Sequence, residues 1–316
     1  MPSTEGSLTA TAATCSSRSV GEPDRTRIPC PATGCPNALH CSTEPPPCDR
    51  PERSNNAMPK IDVLLNGHPM RAAQGVIGFC TMVLIEGEQR TLVDVGHVGR
   101  RNVLLAALAE RGLTPGDIDA TVMTHAHWDH AQNLDLFDHA PTVLHSWERK
   151  YAQDPHVNDW ATPRWTGAMI ETQSNIQEVE DGHEIEPGVR ILHTPGHSPG
   201  CISVLVETDE GVGAITGDVL HYSTVALTRI NPLVFWSEEK ARASIDRILE
   251  ESDVIYPGHD RPFRVVGGDR IEYLQPMQME LAGLDPGDPG LTWDRSARQP
   301  WVMPGIEAQQ IRGVQR

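Results

Sequence analysis

From Met58 onward, short apolar runs alternate with polar turns, and the first of these runs have the length of strands. Three of them are rich in valine, isoleucine and leucine, and Asn-Gly or Glu-Gly-Glu turns separate them. The pattern predicts strands over residues 61–65, 81–85 and 91–95. Alanine and leucine then recur at helical spacing over residues 101–111, and Gly112 follows as a typical residue beyond a helix end.

The alternation continues through the rest of the chain. Further strands are predicted over residues 120–123, 141–144, 188–192, 201–207, 212–215 and 254–256. Helices are predicted over residues 131–137 and 238–251, the second with an apolar stripe on one face. Residues 146–175 show no clear period, and we interpret them as an insertion positioned to cover a site. Two strand-rich parts, each followed by helices, predict an α/β (α+β) sandwich of sheets covered by helices.

The first 57 residues differ from the rest of the chain in composition. Residues 2–57 hold four large apolar side chains, no aromatic residue and 9 of the 26 prolines. Such a segment buries too little apolar surface to offset its ordering entropy, so residues 1–57 are predicted to be disordered, and Met58 is interpreted as the true start. We expect a catalytic domain over residues 58–284 and an extended C-terminal tail over residues 285–316, which is rich in proline and glycine.

Charge and hydropathy exclude several classes of protein. The chain carries 26 basic and 43 acidic residues, a formal charge of −17, which disfavours nucleic-acid binding because phosphate recognition needs a basic surface. No apolar run reaches the ~20 residues of a membrane span, and the N-terminus lacks a secretory pattern. Five of the seven cysteines lie in the first 57 residues without close CxxC pairs. We expect a cytoplasmic protein with a small-molecule substrate, and a homodimer stays open.

A dense cluster of metal-ligand residues follows the predicted strand 120–123. His125, His127, Asp129 and His130 fall within six positions in the sequence THAHWDH. Imidazole and carboxylate together suit zinc and other borderline divalent metals. Because buried polar groups need partners, four such residues after an apolar strand are hard to bury without a metal ion. The motif therefore predicts a metal site.

Three later motifs place further ligand-type residues directly after predicted strands. They are His197 in TPGH, Asp218 in TGD and His259 in YPGH. Because loops at strand ends build the sites of α/β folds, all of these residues are expected to converge on one edge.

With these motifs in this order, residues 61–264 resemble the metallo-β-lactamase superfamily. The resemblance implies an αββα sandwich with a binuclear metal site between the sheets. It assigns one metal to His125, His127 and His197, the second metal to Asp129, His130 and His259, and the bridging position to Asp218. Asp94, in LVDVG, matches the family's structural aspartate, which supports the histidine loop.

The predicted site indicates a hydrolase. Two metal ions can bridge a water and bring its pKa near ~7, so that the hydroxide attacks an electrophilic centre without a serine or cysteine nucleophile. Asp129 is the candidate catalytic residue, because it would orient the nucleophile as well as bind metal. We predict a hydrolase that uses two zinc ions, with iron or manganese as alternatives, on an ester, lactone or thioester.

Other branches of the superfamily stay open. Asp218 argues against true class B β-lactamases, which generally lack the bridging aspartate, and the tail has too few basic residues to favour glyoxalase II. A hydrolytic dehalogenase of chlorinated aromatics is one alternative. A mononuclear iron enzyme that resembles persulfide dioxygenases is another, since these use the same histidine motif.

Four residues are candidates for contacting substrate. Trp128 lies inside the ligand motif, His221 and Tyr222 follow the bridging aspartate, and Trp236 precedes the helix predicted over residues 238–251. Acyl-homoserine lactonases carry a tyrosine shortly after that aspartate, which makes Tyr222 a loose match. His156 and Asp159, inside the insertion, are expected to be exposed to solvent, with an extra metal ion or a partner contact as the alternative.

Overall fold

The computed structural model describes residues 58–72, 75–281, 287 and 290–294. The predicted disordered segment of residues 1–57 lies outside these residues, as does most of the predicted tail. The three predicted domains and the two boundaries between them therefore stay predictions.

The first half of the described chain builds a mixed sheet and one hairpin. Its strands are β1 (Lys60–Leu65), β2 (His68–Ala72), β3 (Gly75–Phe79), β4 (Met82–Glu86), β5 (Arg90–Val93), β6 (Ala120–Val122), β7 (Thr142–His145) and β8 (Ile176–Val179). The sheet has the order β1-β4-β5-β6-β7-β8, in which β5 to β8 are mutually parallel, and β2 pairs with β3 in a separate hairpin.

The second half builds another sheet and a second hairpin. Its strands are β9 (Glu184–Glu186), β10 (Val189–His193), β11 (Ile202–Thr208), β12 (Gly211–Gly217), β13 (Val254–Pro257), β14 (Phe263–Val266), β15 (Arg270–Tyr273), β16 (Gln278–Leu281) and β17 (Leu291–Asp294). The sheet runs β15-β14-β13-β12-β11-β10-β9, with β12 and β13 parallel and the other pairs antiparallel. Strand β17 lies inside the predicted tail and pairs antiparallel with β16.

Six α-helices lie in the described part of the chain. They are α1 (Arg101–Glu110), α2 (Trp128–Ala131), α3 (Ser146–Gln153), α4 (Arg164–Ile170), α5 (Ser223–Thr228) and α6 (Glu238–Glu251). None of these helices combines the length and the apolar character that crossing a bilayer requires. Helix α6 begins after Ser237, whose side chain accepts a hydrogen bond from the Lys240 N–H, a typical N-terminal cap.

Alternating side chains of the strands create three apolar layers. Val83 and Val93 of the first sheet pack in one buried cluster with Val204 and Ile215 of the second. The opposite face of the first sheet buries its leucines against Leu104 and Leu108 of α1. The outer face of the second sheet packs on Ile245 and Ile248 of α6. Helix, sheet, sheet and helix are therefore stacked in that order, which confirms the predicted αββα sandwich.

The structure adds strands β2, β3, β8, β9 and β14 to β17 and helix α5, which were not predicted, and it differs from the prediction at two segments near the histidine motif. The helix predicted over residues 131–137 is instead α2, which ends at Ala131, followed by a 3-10 turn over Leu134–Phe137. The segment 146–175, for which no element was predicted, contains α3 and α4. Helix α3 buries Ser146, Glu148 and Ala152 rather than large apolar side chains, so its inward face leaves no apolar stripe in the sequence.

Candidate metal centre

The sandwich brings the histidine and aspartate motifs to one edge of both sheets. His125 and His127 follow β6, His197 follows β10, Asp218 follows β12 and His259 follows β13. Strands β10, β12 and β13 point the same way, because β10 and β12 are both antiparallel to β11 and β13 is parallel to β12. Their carboxyl ends therefore meet at one place, as the spacing of the motifs predicts.

One group of donor atoms lies around the end of β6. The potential ligand atoms of His125, His127, His197 and Asp218 all lie within 4.8 Å of one another. His197 Nε2 is 3.0 Å from His127 Nδ1 and 3.6 Å from Asp218 Oδ2, and His125 Nε2 is 3.8 Å from the same oxygen. Three imidazoles and one carboxylate oxygen thus converge on a single point.

A second group lies on the other side of Asp218. Asp129, His130 and His259 also have ligand atoms within 4.8 Å of one another. The Nε2 atoms of His130 and His259 are each 3.2 Å from Asp218 Oδ1, and His259 Nε2 is 3.4 Å from Asp129 Oδ2. Oδ2 of Asp218 faces the first group and Oδ1 faces His130, while His259 Nε2 is 3.2 Å from both oxygens. This carboxylate is therefore positioned to bridge two metal ions.

Unpaired buried atoms show that these residues fit a metal. His125 Nε2, His130 Nε2 and Asp218 Oδ1 are buried, and none of them makes a hydrogen bond within the described residues. Groups of this kind are rare in folded proteins unless an ion or a water completes them. Gly258 leaves the room that Asp218 needs, since a Cβ at this glycine would lie 2.2 Å from Asp218 Oδ1.

Hydrogen bonds behind the ligand set fix the orientation of several rings. His130 Nδ1 is 2.7 Å from Asp94 Oδ2, and Asp94 also accepts bonds from the backbone N–H and hydroxyl of Thr124. His197 Nδ1 donates to the Leu233 carbonyl at 2.5 Å. A histidine whose outer N–H is bound in this way presents its other nitrogen to a metal. Asp94 therefore holds the histidine loop, as the family resemblance implies.

Electrostatics divide the histidines of the cluster. Burial opposes protonation of His130 and His259, but the Asp218 carboxylate raises the pKa of both. Burial lowers the pKa of His125 and His197 well below the usual histidine range, which leaves both imidazoles in the form that binds metal. Burial opposes ionisation of Asp218, but the neighbouring imidazoles of His221 and His259 hold the pKa of its carboxyl well below the ordinary value. The edge is therefore suited to a cation.

His221, predicted to contact substrate, lies inside the donor cluster. Its Nδ1 donates to the Asp218 backbone carbonyl at 2.9 Å, and its Nε2 is 3.1 Å from Asp218 Oδ2. Burial lowers the pKa of His221 to about 4, so its imidazole is neutral. Together with Asp218 and His259 it forms a third group of potential ligand atoms.

The other three candidate substrate residues lie in different surroundings. Trp128 has its ring 5.3 Å from the ring of His97. Tyr222 packs against the apolar layer beneath α6. Trp236 is 41% exposed and lines a cavity of about 540 Å³ together with Tyr151, His156 and Phe235. Of the three, Trp236 therefore lies where a bound molecule could contact it.

Phe235 directly precedes the candidate residue Trp236 and lies beside the donor cluster. Its ring contacts the rings of His127 and His197 edge-on, at centroid distances of 4.9 and 5.5 Å. It therefore lies between the donor cluster and the cavity. From the sequence, an aromatic residue two positions before a helix cap either lines the site or packs in the core, and the ring contacts place Phe235 beside the site.

The expected exposure of Asp159 is wrong. His156 is exposed, but Asp159 is only 6% exposed, and its Oδ1 lies 3.5 Å from Nε2 of His127. The reason is local, since its carboxylate accepts bonds from the backbone N–H groups of Ala161 and Thr162, a turn that draws the side chain inward.

Glu148 of α3 is a residue that the sequence analysis did not single out. It is fully buried and accepts bonds from Ala126 N, Ser198 Oγ and Gly200 N at 2.7–2.9 Å. Ala126 lies between His125 and His127, and the other two partners follow His197 within three residues. Glu148 thus ties both ligand loops to the insertion. The sequence gives no sign of this contact, because Glu148 is distant from both loops along the chain and meets them only in the folded structure.

Comparison with known proteins agrees with the geometry. A family model described as metallo-beta-lactamase superfamily matches residues 75–259. Metallo-beta-lactamase domain-containing protein 1 of Xenopus laevis is 32% identical over 189 residues, which cover 59% of this chain and 72% of that protein. An N-acyl homoserine lactonase of a Bacillus species is 30% identical over 158 residues, 47% of this chain and 58% of the lactonase. The chain thus spans less than two thirds of the lactonase.

A solved structure has the same fold. It is an N-acyl homoserine lactone hydrolase with the product N-hexanoyl-L-homoserine bound at its catalytic metal centre, and it superposes with a TM-score of 0.51 at 22% identity. The superposition covers 65% of this chain and 93% of that chain. With the family match over more than half of its length and the donor cluster at the expected strand ends, this chain belongs to the metallo-beta-lactamase superfamily.

Proposed function

We propose that this protein is a binuclear zinc hydrolase that opens the ring of a small-molecule lactone. The observation that carries the proposal is Asp218, whose two oxygens face two separate groups of histidine and aspartate donors. The donor set of imidazoles and carboxylates suits zinc, with iron or manganese as alternatives. The named lactonase relative supports the choice of a lactone, and simple esters and thioesters are the neighbouring alternatives.

Each donor group has a distinct part in the proposed site. His125, His127 and His197 would hold one ion, and Asp129, His130 and His259 would hold the other, with Asp218 shared. When bound, two such ions polarise a carbonyl oxygen and lower the pKa of water. The protein itself supplies neutral imidazoles, because burial keeps His125 and His197 unprotonated.

Asp129 is our candidate for orienting water and holding its proton. Its side chain is 10% exposed, more than those of Asp218 and His259 beside it, so Asp129 lies nearest the solvent side of the cluster. A carboxylate within hydrogen-bond reach of a nucleophile contributes typically about 100-fold or more in rate.

The aromatic side chains next to the cluster support an apolar substituent on the substrate. Phe235 contacts two ligand histidines and also lines the cavity with Trp236. Trp160 packs edge-on against Phe235 at a centroid distance of 5.8 Å and is 55% exposed. Concave sites with apolar walls and a few polar groups are typical of small-molecule pockets.

A substrate screen with measured metal content tests the proposal. Full-length protein loaded with zinc is assayed against N-acyl homoserine lactones, simple lactones, thioesters, aryl esters and chlorinated aromatics. We expect two zinc ions per chain and lactone hydrolysis that a chelator abolishes and added zinc restores. A fully loaded protein that opens no lactone contradicts the proposed substrate. One iron and no zinc after expression in unsupplemented medium contradicts the zinc assignment.

We also propose a cytoplasmic location. Cys80 and Cys201 are buried free thiols in the described chain, and burial raises the pKa of the Cys80 thiol to about 12. Reduced, unreactive cysteines of this kind fit a reducing compartment. Fractionation of the native host, followed by immunodetection, tests this location.

A further inference from the structure

The two ring nitrogens of His127 face opposite sides of the metal centre. Nδ1 lies 3.0 Å from Nε2 of His197, where the first group of ligand atoms converges. Nε2 points away from that group and lies 3.5 Å from Oδ1 of Asp159, at the long limit of a hydrogen bond. The ring is 1% exposed, and within the described residues its Nε2 makes no hydrogen bond, so the Asp159 carboxylate at 3.5 Å is the acceptor beside it. Asp159 is therefore the group that can satisfy this nitrogen.

Asp159 is itself held firmly in place. Oδ1 accepts bonds from the N–H groups of Ala161 and Thr162 at 2.9 and 3.0 Å. Oδ2 accepts bonds from the Tyr151 and Thr162 hydroxyls, each at 2.8 Å. Four donors fix this carboxylate, so it presents a rigid acceptor to the histidine.

Several other histidines of the centre have comparable outer partners. The outer nitrogen of His130 meets Asp94, that of His197 meets the Leu233 carbonyl, and that of His125 meets the Thr124 hydroxyl, each at 3.0 Å or less. A neutral imidazole carries a single N–H, so binding that hydrogen on one nitrogen leaves the other bare. Asp159 is the corresponding outer partner of His127.

We propose that Asp159 is a positioning residue for the metal centre: it accepts a hydrogen bond from Nε2–H of His127 and thereby holds Nδ1 bare toward the metal. This inference rests on the metal site of the proposed function but not on its substrate. Carboxylate partners of this kind orient metal-bound histidines and raise their basicity.

The proposal makes the insertion part of the metal centre. Asp159 lies in the loop between α3 and α4, outside all the ligand motifs. The same loop also binds the ligand loop through its backbone, because Trp128 N donates to the Ala161 carbonyl at 3.0 Å. Residues 159–162 therefore contact the histidine motif twice, once through a side chain and once through the main chain.

The first test measures the tautomer of His127 in the unaltered protein. Nitrogen-15 spectra of full-length protein, with His127 assigned through a His127→Gln variant, distinguish a proton on Nε2 from a proton on Nδ1. We expect the Nε2–H form in both metal-free and zinc-loaded protein. A proton on Nδ1 of His127 in the zinc-loaded protein overturns the proposal, and this result needs no variant at Asp159.

The second test is Asp159→Asn. Its amide oxygen can still accept from the two backbone N–H groups, while its amide hydrogens can meet the Tyr151 and Thr162 hydroxyls, which also accept. The substitution thus removes the charge and leaves the local bonds, so the fold should persist. Outer partners of metal ligands typically contribute about 10–100-fold in affinity, and we expect about 10-fold weaker zinc binding at the His127 site.

Site selectivity separates positioning from a general loss of stability. Chelator competition should show the Asp129–His130–His259 site unchanged within about 3-fold, and the cobalt-loaded variant should have an altered visible spectrum. Tyr151→Phe is the matched control, because it removes one bond to the same carboxylate and leaves the charge. Wild-type affinity at both sites in Asp159→Asn and also in Asp159→Ala, which removes the acceptor altogether, or an equal loss at both sites in Asp159→Asn, overturns the proposal. Metal binding without lactone hydrolysis contradicts only the proposed function.

Discussion

Two carboxylates stand behind two histidines of the metal centre, and they are built in different ways. Asp94 follows β5, and its Oδ2 lies 2.7 Å from His130 Nδ1. Asp159 lies between two helices of the insertion, and its Oδ1 lies 3.5 Å from His127 Nε2. Asp94 also binds Thr124, the residue directly before the first ligand histidine, whereas the other bonds of Asp159 stay within the insertion.

The difference shows that the strand ends and the insertion contribute to the site in different ways. Strand ends fix Asp94 and the ligand loop in one rigid frame, because β5 and β6 are adjacent and parallel. The insertion approaches that frame from outside and touches it through a few contacts. We therefore expect substitutions on the strand-end side to remove the metal centre, and substitutions in the insertion to adjust it.

The largest effect is expected for Asp218→Ala. This carboxylate faces the imidazoles of both ligand groups, and its removal leaves several histidines oriented toward an empty position. We expect both metals to be lost, with a fall in affinity beyond the about 10–100-fold typical of an outer partner. Metal analysis after dialysis checks this. Two tightly held ions in the variant would place the bridge elsewhere.

The next largest effect is expected for Asp94→Asn. Residue 94 has a φ of 56°, in the left-handed region that asparagine tolerates, so the backbone is preserved. If the amide oxygen keeps the Thr124 N–H, the amide hydrogens face His130 Nδ1 and favour the wrong tautomer. We expect about 100-fold weaker binding at the His130 site. Asp159→Asn should instead weaken metal binding at the His127 site, so each variant is expected to affect a different one of the two metal sites. The same selectivity in both would remove the distinction drawn between the two carboxylates.

The strand-end half of the site could be predicted from the sequence, and the insertion half could not. Valine and isoleucine runs fix the strands, and each ligand motif follows one of them directly, so topology alone brings His125, His197 and His259 together. Helix α3 instead turns Ser146 and Glu148 inward. In a sequence, polar side chains indicate an exposed face, and only the folded structure shows which partners bury them.

A stability effect of intermediate size is expected for Glu148→Gln. The carboxylate accepts bonds from Ala126 N, Ser198 Oγ and Gly200 N, and an amide group must turn its hydrogens toward at least one of these donors. Leaving a buried donor unpaired costs about 1–3 kcal/mol, so the free energy of unfolding should fall by about that amount. Chemical denaturation checks this, and an unchanged midpoint would show that these three hydrogen bonds contribute nothing to stability.

The same variant has a pH signature. Burial raises the pKa of the Glu148 carboxyl above its usual value of 4.5. Between pH 4.5 and this raised pKa, the carboxyl is protonated in the folded protein and ionised in the unfolded chain. Stability from this group is therefore fully present below pH 4.5 and decreases as the pH rises through the raised pKa. Since glutamine does not titrate, the difference in unfolding free energy between wild type and Glu148→Gln should narrow over that range. A constant difference from pH 4 to 8 would contradict the burial of an ionisable group here.

The smallest effect is expected one residue further along α3, for Arg149→Ala. Arg149 pairs with Glu171 in a two-bond contact at 2.7 and 2.8 Å, and with Glu178 at 2.8 Å, but the side chain of each glutamate is about 40% exposed. Ion pairs at such exposure contribute about 1 kcal/mol or less, and salt screens them, so the loss should shrink further in concentrated salt. Metal affinity at both sites should stay at the wild-type value, because the pair lies on the outer surface of the insertion. Denaturation at low and high salt, with chelator competition on the same samples, measures both quantities. A loss larger than that of Glu148→Gln, or weaker metal binding, would mean that the outer face of the insertion supports the centre as much as its buried face does.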